Sequence, residues 1–470
     1  MDKANIDQIF DAQKLQSLKL RTSSKAQRVK KLEDLQNWID TNQEDIRKAI
    51  FSDFKKPYTE TNISEIFVVS SDIKHAIKNL GDWMAPQKVS TPLTMLGSRS
   101  FIEYEPKGVS LIIAPWNYPF NLSIGPLVSA IAAGCTAIIK PSELTPHTSA
   151  LVRRLVDEVF ENQEVAVFEG EAEVAQYLLS KPFDHIFFTG SPAIGKVVMK
   201  AAAEHLSSVT LELGGKSPAI IDSNTDLKDA ADKIIWGKFV NCGQTCIAPD
   251  YILVQNSITE QFVVALTDSL NKMYNPKGKG IEKSKDYARI VNNKHLQRLH
   301  RLLADATEKG ARIITGGQVN SNENYFEPTL LSDVNASMLV MQEEIFGPIL
   351  PIVPYESLNE AITYVNAQPK PLALYVFSKS SEITDEVIAK TSSGAVVVND
   401  CVLHYLQHEL PFGGVNNSGI GKAHGKFGFL AFSNEKAILK QRIGLTGSKP
   451  LYPPYGFSAK KITKLLLKWF

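Results

Sequence analysis

Near the middle of the chain, residues 243–246 read Gly-Gln-Thr-Cys, a thiol on a glycine-containing loop. A thiol attacks a carbonyl carbon only as its thiolate, and on such a loop, or near a helix N-terminus, its pKa can be lowered. Cys246 is therefore a candidate nucleophile, although a free cysteine taken alone is more often a buried structural residue. Glu212 lies 34 residues upstream in LELGGKSP (residues 211–218), between two leucines and just before two glycines. Apolar neighbours raise a carboxyl pKa by desolvation, and a glycine turn opens it to a cleft, which suits a general base for water. Alone, such a glutamate is more often solvated or capping. Asn117 sits in APWNYPF (residues 114–120), directly after the strand-like VSLII. At the carboxyl end of a parallel strand its side-chain NH₂ could face a developing oxyanion, or it could satisfy turn backbone. Pro115 and Pro119 would stiffen that loop.

Two further motifs suit a nucleotide. KPSE places Lys140 and Glu143 at the end of the next strand, where a dinucleotide fold reads a ribose. FTGSPAIGK places Gly190, Ser191 and Gly195 at a strand-to-helix turn, although the spacing is not G-x-G-x-x-G and such turns also serve as punctuation.

These residues need a scaffold. Residues 5–80 alternate charged and apolar positions at helical spacing, which predicts amphipathic packing helices, and the Pro-, Gly- and Ser-rich stretch 85–108 predicts an extended excursion. From Val109 the texture changes to short apolar runs separated by helical segments: VSLII, TAIIK, EVAVFEG and DHIFFTG, then PAIIDS, YILVQNS, ARIITGG, PILPIVPY, LALYVFS and GAVVVND. Such alternation predicts an α/β protein with two doubly wound parallel-sheet domains.

A chain of 470 residues exceeds what one core usually serves. With 44% hydrophobic and 21% charged residues it is an ordinary folded protein, and a net charge of +1 argues against a nucleic-acid partner. Four cysteines are too few for a disulfide scaffold, and the N-terminus lacks an apolar signal core, so a cytoplasmic location is expected. No apolar stretch reaches the ~20 residues that span a bilayer. Cys242 and Cys246 form C-x-x-x-C without a second ligand pair, so no metal site is expected.

The order and spacing of PWNYP, KPSE, FTGS, LELGGK, GQTC and EEIFGP resemble the aldehyde dehydrogenase superfamily over nearly the whole chain. PWNYPF, NCGQTCIAPDYIL, LPFGGVNNSGIGKAHGKFGFLAFSN and the late YPP are similar to its class 3 branch. The resemblance implies oxidation of aldehydes to carboxylic acids with NAD or NADP through a thioester on Cys246, Glu212 as the base, and Asn117 with the Cys246 backbone N–H as the oxyanion hole. It implies Trp116, Lys140, Glu143, Gly190, Ser191, Gly195, Glu344 and Phe346 as cofactor residues, and Tyr118 and Trp236 as substrate-pocket aromatics that could equally be core residues. An aromatic funnel would favour medium-chain aliphatic or aromatic aldehydes. Glu143 would repel a 2′-phosphate, yet class 3 relatives with this glutamate often accept both cofactors, so dual use is expected. A homodimer is implied as well.

The expected organisation is a Rossmann-like cofactor domain (1–85 and 106–210), a catalytic domain (211–410), and a bridging or oligomerisation element (86–105, with 411–470 and its tail). Two positions depart from the family: Cys135 replaces a common asparagine, and Asn416 replaces a usual glycine, whose left-handed turn asparagine can make. A CoA-acylating enzyme is the same-fold alternative, against which Glu212 speaks; a silent binding protein on this fold is the other. The tail KITKLLLKWF has an apolar, tryptophan-bearing face with Lys461, Lys464 and Lys468. Docking on the partner subunit or its own body is the plainer expectation, and contact with an anionic membrane surface the other.

Overall fold

The computed structural model describes residues 2–95, 97–444 and 446–469. Continuous apolar runs become strands buried on both faces because helices cover each side. In Val109–Ile113, residues Val109, Leu111 and Ile113 enter one core and Ile112 the other; Ile186 and Phe188 against Phe187 divide in the same way. That alternation follows from the two-residue side-chain period of a strand.

Six strands form the first sheet, side by side in the order Gly419–Ile420, Ser208–Leu213, His185–Gly190, Val109–Ile113, Thr136–Lys140 and Val165–Val167. All neighbours are parallel except the Gly419–Ile420 edge. A seven-stranded sheet follows in the order Arg312–Thr315, Thr329–Ser332, Ile349–Tyr355, Tyr251–Gln255, Pro218–Ile221, Ala373–Phe377 and Ala395–Val398. It too is parallel apart from one edge, Arg312–Thr315, which runs antiparallel to Thr329–Ser332. The fold is thus α/β with two doubly wound sheets, each closed at one edge by an antiparallel strand.

Two details differ from the expected boundaries. The strand Ser208–Leu213 belongs wholly to the first sheet, so Glu212 is carried by that sheet and not by the second, and Gly419–Ile420 returns from the C-terminal segment to pair beside it. Thr329–Ser332 follows Pro328 and had no alternating pattern long enough to be read from sequence. The excursion does become extended structure: Gln87–Val89, Ser98–Pro106 and Ser433–Gln441 form a separate three-stranded antiparallel sheet.

The N-terminal helices Lys3–Leu20, Lys25–Thr41, Gln43–Phe54 and Val68–Met84 cover the first sheet. A fully buried ion pair ties them to the chemistry-bearing loop. Lys56 Nζ lies 2.8 Å from Glu65 Oε1, and Glu65 Oε2 accepts from the backbone N–H of Asn121 at 2.9 Å. Two buried charges persist only when paired and hydrogen-bonded, so the start of the helix Asn121–Ala133 is pinned where residues 114–120 end.

Candidate active site

Glu212 is the penultimate residue of its strand, flanked in register by Thr189 and Gly419. It is 5% exposed, and neither carboxyl oxygen has a hydrogen-bond partner. Burial holds its pKa well above the usual carboxylate range, opposed by the charge of Lys422. Lys422 Nζ donates to the carbonyls of Gly413, at 2.5 Å, and Gly414, at 3.1 Å, and so stays beside the carboxyl.

Cys246 follows a tight run in which Asn241, Cys242 and Gly243 all have positive φ. Left-handed backbone at Asn241 and Cys242 is sterically costly and marks a conformation imposed by its surroundings. At Gly243 only glycine fits, since a Cβ would meet the carbonyl of Gly347. Asn241 Nδ2 donates to the Asn117 carbonyl at 2.9 Å and the Gln244 carbonyl at 3.2 Å, while Asn117 Nδ2 donates to the same Gln244 carbonyl at 3.0 Å. The two loops, 127 residues apart in sequence, are therefore locked together. Asn117 is 3% exposed and commits one of its two amide hydrogens to this lock, leaving the second. Tyr118 OH lies 2.7 Å from Thr245 Oγ1, and Lys56 Nζ sits 3.8 Å from the Tyr118 ring centroid.

The expectation of a lowered Cys246 pKa is reversed. Burial pushes the thiol up to about 12, and the carboxyls of Glu344 and Glu212 push the same way; the N–H groups of Cys246 and Ile247 reach the sulfur and oppose them. A thiolate in a dry pocket between two carboxyls is unfavourable without a nearby cation.

A cavity of about 210 Å³ is lined by Glu212 and Cys246, though not by Asn117. Cys246, Glu212, Tyr118 and Trp236 all face it, so both aromatics line the pocket. The N-terminal segment also contributes Glu60, Ile63, Val68 and Asp72, a role beyond the packing expected of it. Glu60 was not singled out in the sequence: burial raises it to about 7, and its Oε2 accepts from the Asn241 N–H at 2.9 Å. Nothing in its local sequence, KPYTETN, distinguishes it from a solvated helix residue. Among the described residues, no Lys or Arg lines the cavity.

Trp116, Lys140, Glu143, Gly190, Ser191 and Gly195 lie at the carboxyl ends of first-sheet strands, whereas Glu344 and Phe346 precede the second-sheet strand Ile349–Tyr355. Lys140 is buried, and its Nζ is 2.5 Å from Glu143 Oε2, leaving the glutamate partly exposed at the rim. Ser191 caps the helix Pro192–His205, its Oγ accepting from Ile194 N–H, and Gly195 lets that helix close on Leu213, which a Cβ would meet at 2.7 Å. Beside the turn, Ile194 and Val197 leave an uncovered apolar surface. Glu344 has one buried oxygen without a partner and is raised to about 8 by burial, with Asp250 adding to the rise. Its carboxyl lies against Gly214, where a Cβ would overlap it. Phe346, at φ 47°, meets Trp116 edge-on with centroids 5.3 Å apart. An orphaned acceptor, a glycine cradle and a helix N-terminus fit a dinucleotide. Lys216, missed by the sequence reading, fixes the Glu344 loop: it pairs with Asp250 and donates to the carbonyls of Val340 (2.7 Å) and Glu343 (2.9 Å). Asn416 adopts the left-handed conformation at φ 55°.

The sequence matches the aldehyde dehydrogenase family over residues 1–438. It is 46% identical over 428 residues to the 4,4'-diaponeurosporen-aldehyde dehydrogenase of Staphylococcus aureus, covering 91% of this chain and 92% of that one. It is 43% identical over 463 residues to mouse aldehyde dehydrogenase family 3 member B3, covering 97% and 94%. The fold superposes on a substrate-bound AldH of Staphylococcus aureus with a TM-score of 0.93 at 44% identity, covering 98% of this chain and 99% of that one. With a thiol and a buried carboxyl facing one cavity, the chain belongs to the aldehyde dehydrogenase family, and it is an enzyme that oxidises aldehydes with NAD or NADP.

Proposed function

We propose that Cys246 is the nucleophile, Glu212 the base and Asn117 an oxyanion donor in the oxidation of apolar aldehydes. The observation that carries this is the Glu212 carboxyl, buried with both oxygens unpartnered in the cavity that holds the Cys246 thiol. The Cys246 thiol gives up its proton to solvent as sulfur bonds to the aldehyde carbon, and the free amide hydrogen of Asn117 and the Cys246 N–H hold the oxygen. Lys140, Glu143, Gly190, Ser191 and Glu344, with Trp116, Phe346 and Gly195 shaping the same cleft, would hold a dinucleotide, which would supply the hydride acceptor; Cys246 then carries the acyl group as a thioester. Ionised Glu212 then removes a proton from water, which attacks the thioester carbon; the carbon–sulfur bond breaks, the leaving Cys246 sulfur takes that proton back from Glu212 as the thiol, and the acid departs. Cys246→Ser is expected to abolish dehydrogenase activity and any esterase activity together, and near wild-type turnover overturns the assignment.

The cavity is largely apolar; Glu60, Asp72 and Glu212 line it together with His424, whose pKa burial lowers, and no Lys or Arg does so among the described residues. Its substrates are therefore medium-chain aliphatic or aromatic aldehydes rather than anionic ones. Comparing kcat/KM for hexanal, benzaldehyde and succinic semialdehyde with each cofactor tests this, and a preference for the semialdehyde refutes it. All four cysteines are free, which supports a reducing, cytoplasmic setting. The nine-residue edge strand Ser433–Gln441 is largely exposed and offers an unpaired edge for a homodimer, which light scattering would read directly.

A further inference from the structure

Three helical stretches run on from one another beside the cavity, Tyr58–Thr61, Asn62–Phe67 and Val68–Met84, and the middle one is a π-helix. Such wide turns are rare and are frequent at functional sites. Two carboxyl groups leave this stretch toward the two loops of the site. Glu65, paired with Lys56, accepts from the backbone N–H of Asn121 at 2.9 Å, where the loop of Asn117 passes into its helix. Glu60, in the turn before the π-helix, accepts from the backbone N–H of Asn241 at 2.9 Å, at the head of the loop that carries Cys246. The Lys56 ammonium, 3.8 Å from the Tyr118 ring centroid, attracts Glu60 as well as Glu65.

What Glu60 holds is strained. Asn241, Cys242 and Gly243 have φ of 55°, 55° and 74° in succession. Left-handed backbone at residues with side chains persists only where the surroundings over-determine it. Asn241 is fully buried, so its N–H needs an acceptor within the protein. Its carbonyl accepts from the Gln244 N–H and from Gln244 Nε2, both at 3.1 Å, and its side chain donates to the Asn117 and Gln244 carbonyls. Those bonds stay within the two loops and would let both shift together. The bond to Glu60 ties the strained run to a segment that the buried Lys56–Glu65 pair already anchors. Burial raises the Glu60 carboxyl to about 7, so close to neutral pH the oxygen acceptor is its constant feature and the charge is not.

We propose that Glu60 is a positioning residue: by accepting from the Asn241 N–H it holds the left-handed run that aims the Cys246 sulfur at the aldehyde carbon. The role rests on Cys246 being the nucleophile. Glu60→Asp keeps the charge but is one methylene too short to reach Asn241, whereas Glu60→Gln keeps the reach and an oxygen acceptor without the charge. Rapid mixing of the full-length enzyme with saturating hexanal and cofactor reads the first turnover, and amide hydrogen exchange reads the Asn241 N–H directly. Glu60→Asp is expected to slow the first turnover at least ~10-fold with little change in KM, because a small misplacement of a reacting atom is costly. Exchange at Asn241 should quicken in the same variant by at least ~10-fold. Glu60→Gln is expected to stay within ~3-fold of wild type in both, since a neutral oxygen still accepts the bond. An unaltered first turnover in Glu60→Asp overturns the proposal, as does a change confined to KM, which would make Glu60 a substrate contact. A tenfold or greater loss in Glu60→Gln overturns it independently, since the acceptor is kept there. Cys246→Ser measured alongside separates the two claims: retained turnover removes the nucleophile assignment, while an inactive Cys246→Ser beside an unaffected Glu60→Asp removes the positioning role alone.

Discussion

Glu212→Gln isolates the deacylation step. Glutamine keeps the volume, so the cavity and the Cys246 loop stay in place while the proton acceptor is lost. A positioned general base contributes ~10²–10⁴-fold. The site argues for the middle of that range, about 10³-fold or roughly 4 kcal/mol at about 1.36 kcal/mol per decade. Two features set this. With neither oxygen hydrogen-bonded, Glu212 has a raised pKa and is a stronger base than an exposed carboxylate. The other buried acids near the thiol are held elsewhere, Glu60 by the Asn241 N–H and Glu344 by the Gly215 N–H, so neither replaces it. Rapid mixing of the variant with aldehyde and cofactor should give a first-turnover burst of reduced cofactor, an acylated Cys246 detectable by mass spectrometry, and a steady state depressed about 10³-fold. Because the base works ionised, wild-type deacylation should rise as pH passes upward through the elevated Glu212 pKa, and the variant should lack that limb. A steady state within about threefold of wild type, or the absence of both burst and acyl-enzyme, refutes the reasoning.

Three further outcomes follow from the same geometry. Asn117→Ala removes one oxyanion donor and should lower kcat by ~10²–10³-fold with a smaller change in KM, a split visible in steady-state kinetics. Lys422→Met removes the cation that opposes the rise in the Glu212 pKa, so the rising limb of the pH–rate profile should move to higher pH, and Lys422→Arg should restore it. In stability, a carboxyl whose folded pKa is raised binds more protons folded than unfolded, so it destabilises the fold increasingly as pH climbs from the ordinary glutamate pKa toward the folded value. The Tm of Glu212→Gln should therefore gain on wild type as pH rises, and a constant difference across pH would contradict the assignment.

The alternating apolar runs determined the α/β class, since a strand covered on both faces must be apolar throughout, and the order of short motifs singled out the residues proposed to carry the chemistry. What the sequence could not carry was long-range. Glu60 and Asp72 enter the cavity from helices whose own pattern specifies only packing, because the partner surface that exposes them to the pocket is built by residues 118–129 and 402–425. Lys216 reads as part of a glycine turn until the Asp250 carboxylate and two carbonyls close around it. The Cys246 loop looked like one that activates a thiol, yet tertiary burial and two neighbouring carboxyls raise its pKa instead. Desolvation and charge are summed over everything that packs around a group, so ionisation is decided by the folded surroundings, whereas the candidate thiol, carboxyl and amide were legible along the chain.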